Sequence, residues 1–145
     1  MKFLPDPRGR MFRNWFGKKD LPLSGGPAVR RLKTYSAQSG YVYQYQYEGK
    51  RPWTGRAGDS GTGFVFTISA DRKSWHPLSV IVNESAVQAW ERSHGRTLSS
   101  TERYAIAKMV LFAAFDERES PAAMLQSVNA GEAEVAQFAE RLGFE

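Results

Sequence analysis

The twelve residues from Tyr104 to Phe115, Y-A-I-A-K-M-V-L-F-A-A-F, carry a single charge, Lys108. A surface helix shows an apolar stripe beside polar neighbours, whereas this segment is apolar on nearly every side. At ~1.5 Å per residue it covers roughly 18 Å, short of a bilayer core of ~30 Å. The pattern therefore predicts a central helix in a soluble domain, against which the rest of the chain packs. Ser99 and Glu102 have the spacing of a capping box at its start. The charged run Asp116 to Glu119 and then Ser120-Pro121 end it, because proline blocks further helix. A lysine among apolar residues can act as a base of lowered pKa. It can equally mark the one line of a helix that reaches water, its stem lying over neighbours, and that is the expectation for Lys108.

Upstream the period changes from helical to two. Tyr41 to Tyr47 alternates Tyr with Val and Gln, a strand with its four tyrosines on one face. Glutamine fills a core poorly, so the tyrosine side is expected to face inward. Gly63 to Ser69 places Phe64, Phe66 and Ile68 together, and Trp75 to Asn83 aligns Leu78, Val80 and Val82, with His76 before them. The short polar turn Ala70 to Ser74, five residues, joins these strands as a hairpin. Leu32 to Ser36 adds a short edge strand. The fold class is thus α+β: a three- or four-stranded antiparallel meander followed by three to four helices packed on one face. Asn83 caps a helix over Glu84–His94 with Gly95 after it. Ser120-Pro121 opens a short helix to about Val128. Asn129, with Glu132 three places on, caps a last helix to Leu142, stopped by Gly143.

Gly49 to Thr62 breaks the alternation and reads as a long glycine-rich hairpin tip. It holds Lys50, Arg51, Trp53 and Arg56 as candidate contacts. It leads into a strand rather than a helix, so it lacks the helix N-terminus of a phosphate-binding loop.

Charge changes the picture at one end. The net charge is +5, yet residues 1–33 hold nine Lys/Arg and two Asp, leaving −2 for the other 112 residues. Met11, Phe12, Trp15 and Phe16 share one face of a helical turn and a half, with Arg13, Asn14, Lys18 and Lys19 opposite. The domain organisation read from this is a basic, aromatic arm and linker over 1–28, then one α+β domain over 29–145. Phe12, Arg13, Trp15, Phe16, Lys18 and Lys19 are candidate contacts for a partner or an anionic surface, including a peripheral membrane contact. A strap folded back on the domain, or a solvated tail, are the plainer readings of the same residues.

With no cysteine, disulfides, thiolate metal sites and a cysteine nucleophile are excluded. The two histidines, His76 and His94, are too few and too far apart for a metal site. No cofactor is expected, no apolar stretch reads as a secretory signal or a membrane span, and the expected compartment is the cytoplasm. The sequence favours a non-catalytic, self-associating interaction domain with a protein partner or a second copy. Two alternatives remain. Single-stranded nucleic acid could stack on the tyrosine strand beside the basic loop, and a small enzyme could use loop 49–62.

Overall fold

The computed structural model describes residues 22–145. The chain is α+β. Four antiparallel strands follow in order: β1 (Lys33–Ser36), β2 (Val42–Thr54), β3 (Ser60–Ser69) and β4 (His76–Asn83). Two helices come next, α1 (Glu84–His94) and α2 (Ser100–Glu117), then a 3₁₀ turn (Pro121–Leu125), β5 (Val128–Ala130) and α3 (Glu132–Arg141). The sheet order is β1-β2-β3-β4-β5. The last pair is parallel, so the sheet is mixed rather than a pure meander. A parallel neighbour requires a crossover, and α1 and α2 supply it. Three residues show no period, so β5 has no signature in the sequence; Val128 to Ala130 lines up with Val80 to Val82 through backbone pairing.

The inward strand positions fall where alternation places them. Tyr43, Tyr45, Phe64, Phe66, Ile68, Leu78, Val80 and Val82 are all buried and form one core with Ala86, Val87 and Trp90 of α1 and Ile106, Leu111 and Phe115 of α2. The α2 start is a full capping box. Ser99 Oγ accepts from the Glu102 N–H, and the Glu102 carboxylate accepts from the Ser99 N–H. Gly95 closes α1 at φ +68°. Asn83 holds the N-cap position without a side-chain hydrogen bond. The last helix is capped elsewhere than expected. Asn129 belongs to β5, and the Gly131 N–H donates to the Glu134 carboxylate at the α3 start.

The long loop expected over 49–62 is not a loop. β2 runs to Thr54 and β3 resumes at Ser60, leaving only Gly55 to Asp59 as the connection. A bulge between Tyr47 and Gly49, with Gly49 at φ +137°, inserts a residue and reverses which side chains face the helices. That reversal hides the strand from a period-two reading. The glycines of this stretch are strand glycines. A Cβ on Gly61 would stand 2.4 Å from the Val82 carbonyl oxygen, whereas one on Gly63 meets only the Arg51 carbonyl oxygen at 3.8 Å. Gly61→Ala is therefore expected to push β3 from β4 and cost ~1–3 kcal/mol in a denaturant titration. Gly63→Ala should stay within about 0.5 kcal/mol; equal losses would refute this reading of the hairpin.

Candidate anion-binding site

The β1–β2 pairing sets Lys33 opposite Tyr45, on the helix side of the sheet. Beyond the bulge, Lys50 pairs with Phe64, which returns it to that same side. The chain ahead of β1 is held against this hairpin by a two-way backbone pair between Ser24 and Lys50, each N–H donating at 2.8 Å. Pairing thus begins before Val29, where the sequence placed the start of the domain. Gly25, Pro27, Val29 and Arg31 are carried along one rim, and the first turn of α2 brings Ser100, Thr101 and Tyr104 to the other. Between them lies a cavity of about 450 Å³, floored by Tyr45, Tyr47 and Phe64. Cavities of ~300–1,000 Å³ are the usual size for small-ligand sites.

Among the described residues three cations, Arg31, Lys33 and Lys50, line this cavity, and no carboxylate does. Among the described residues the ion pairs use other cations: Arg30 with Glu48, Arg96 with Glu102, and Arg103 with Glu84 and Glu91. A fourth cation adjoins them. Lys108 stands one turn beyond Tyr104, its ammonium 6.0 Å from the Tyr45 ring centre and 5.9 Å from that of Phe112. Burial, and then the neighbouring Lys33, push its pKa below the usual lysine value. Lys108 is half-buried with its stem over aromatic neighbours, as expected of the wet line of α2.

The uncharged polar groups of the cavity are also unspent. The hydroxyls of Tyr45, Tyr47 and Tyr104 make no hydrogen bond to any described residue. Nor do the backbone N–H groups of Ser100 and Thr101, which belong to the donors every helix start leaves over. Burial, and then Tyr104, push the Tyr47 pKa up to about 12; burial alone raises that of Tyr104. At neutral pH these phenols are therefore donors. A folded pKa of about 12 against 10 for free tyrosine stabilises the fold fully below pH 10, and that contribution is lost as pH rises through 12. Tyrosinate absorbance should show a late step that Tyr47→Phe diminishes without abolishing, because burial and Asp116 push Tyr35 up to about 12 as well. A single step near pH 10 in the folded protein would contradict it.

The structure separates the four loop candidates. Lys50 enters the cavity. Arg51 and Trp53 sit on the opposite face of the hairpin, paired with Gly63 and Gly61, and Trp53 lies over Gly55. Arg56 is exposed in the 3₁₀ turn at the tip. Phe12, Arg13, Trp15, Phe16, Lys18 and Lys19 lie outside the described residues. Tyr43 and Tyr45 are buried beneath α2 rather than displayed, Tyr47 is half-buried, and only Tyr41 of the four is exposed. Sequence reasoning missed Arg31, Lys33, Ser100, Thr101 and Tyr104. The alternation of Arg31 and Lys33 leading into an edge strand was the available signal for two of them. Among the described residues no three His, Asp or Glu side chains gather as a metal site, and no helix is long and apolar enough to cross a membrane. No family model, curated protein or solved structure matches this chain.

Proposed function

We propose that this chain is a non-catalytic binding domain that takes up an anionic group in the cavity between β1, β2 and α2. One observation carries the reading: Arg31, Lys33 and Lys50 converge on a cavity that no carboxylate lines among the described residues. Gathering like charges without a counter-charge costs stability, and a bound anion repays it. The arm belongs to the same reading. Ser24 is paired with Lys50, which lines the cavity, and the basic, aromatic stretch precedes Ser24 in the sequence. Phe12, Trp15 and Phe16, with Arg13, Lys18 and Lys19, then extend the contact to a partner or an anionic surface.

The test is the melting temperature of the full chain in inorganic pyrophosphate, compared with chloride at the same ionic strength. A ligand that binds only the folded state raises the melting temperature in proportion to the logarithm of its concentration. A rise specific to pyrophosphate supports the reading; identical curves in the two salts refute it. A specific feature favours self-association as a second reading. Val29 (71% exposed), Leu32 (52%) and Val42 (46%) are open beside β1, the edge of the sheet. Sedimentation showing only monomer at micromolar concentrations would remove it.

A further inference from the structure

We propose that the ligand of this cavity is a nucleoside phosphate, its phosphate met by the cations and its base laid on the tyrosines. The inference rests on the anion-binding reading above and adds the chemistry of the body attached to the anion. The two walls of the cavity differ. Arg31, Lys33 and Lys50 come from the β1 side and the middle of β2, while Tyr47, Phe64 and Tyr104 form an aromatic wall. Tyr47 and Tyr104 have ring centres 4.6 Å apart, tilted by 51°, and each lies within 6.5 Å of the Phe64 ring. A simple inorganic anion has no use for such a wall. A flat ring does, because stacking on half-buried tyrosine removes apolar surface from water on both partners.

The polar groups suit a ring with hydrogen-bonding edges better than a plain hydrocarbon. The hydroxyls of Tyr47 and Tyr104 have no partner among the described residues, and an aliphatic body would leave them desolvated and unmet. The charged end suits a phosphate monoester. Such a group carries close to two negative charges near neutral pH and offers three acceptor oxygens. Three cations, and the N–H groups of Ser100 and Thr101 at the start of an 18-residue helix, can meet them. A single carboxylate would leave most of these donors unused. The phosphate could sit on a free nucleotide or on the terminus of a single strand; the recognising chemistry is the same.

The test is calorimetric titration of the full chain with adenosine monophosphate, adenosine and methyl phosphate at constant ionic strength. Methyl phosphate carries the same monoester without the ring. The mononucleotide is expected to bind at least roughly tenfold tighter than methyl phosphate, with adenosine weaker than both. Tyr104→Leu should erase that advantage, the mononucleotide falling to the affinity that the same variant has for methyl phosphate. Tyr104→Phe, which keeps the ring and the packing, should retain most of the advantage and guards against a folding defect. Equal affinity for the mononucleotide and methyl phosphate overturns the nucleoside assignment and leaves the anion site standing. Mononucleotide binding that survives both Tyr104→Leu and the pair Lys33→Gln with Lys50→Gln also overturns it, since the ligand then sits elsewhere. No binding by any probe, with no pyrophosphate effect on melting, overturns both readings. A short oligonucleotide with a terminal phosphate identifies the source. Tighter binding than the mononucleotide places the phosphate on a strand, and equal or weaker binding on a free nucleotide.

Discussion

Phe115→Ala is expected to remove ~3–5 kcal/mol of folding stability, the range for truncating a buried phenylalanine. The ring has no exposed surface. It stacks on Tyr43 with centres 4.2 Å apart and planes 10° from parallel, and it touches Tyr35 and Tyr45 at 5.7 and 6.2 Å. Removing it leaves a cavity bounded by three tyrosines, whose positions are fixed by β1 and β2 and cannot collapse inward. The backbone there is committed as well. The Phe115 carbonyl accepts from Ser39 Oγ, and the next residue, Asp116, accepts from the Tyr35 hydroxyl and the Gln38 N–H. The end of α2 thereby fastens the β1–β2 turn. Against a typical total of ~5–15 kcal/mol, the variant should stand near the edge of folding. Urea unfolding measures the loss, with half-buried Phe112→Ala as the smaller companion. Equal losses at the two positions would contradict this account of the core.

The double substitution Lys33→Gln with Lys50→Gln should lower pyrophosphate affinity by roughly 100-fold. A hydrogen bond to a charged group is worth ~1.5–3 kcal/mol, and about 1.4 kcal/mol is tenfold in affinity. The lower figure applies because Lys33 is exposed and Lys50 only half-buried. Stability in chloride should not fall. Neither lysine has a carboxylate partner among the described residues, and removing Lys33 relieves its repulsion of Lys108. Full affinity in the variant would take the anion out of this cavity. A large loss of stability without ligand would make the lysines structural.

The fold was legible wherever a local rule decided it. Phe64, Phe66 and Ile68, or Leu78, Val80 and Val82, announce a face by alternation. Ser99 with Glu102, and Gly95 after His94, mark helix ends by chemistry that acts over three or four residues. Legibility failed where a single residue shifts the register. Glu48 and Gly49 make a bulge, so Lys50 to Thr54 looks like loop although it is strand. Val128 to Ala130 joins the sheet only because the crossover delivers it to β4. The site was harder still, since its parts come from residues 25–33, 45–50, 64 and 100–104. Lys50 was visible as a basic residue in a glycine-rich stretch. Tyr104 was read only as part of an apolar helix, and nothing local joins it to Lys33.

An anion held between β1, β2 and α2 is located by a measurement that reports position residue by residue. Amide chemical shifts of the isotope-labelled full chain, followed as pyrophosphate is added at constant ionic strength, provide it. The account predicts saturable shifts at Lys33, Lys50, Ser100 and Thr101, with Arg56, Arg72 and Lys73 on the exposed turns unmoved. Shifts centred on those turns, or drifting without saturation across all exposed cations, would contradict it.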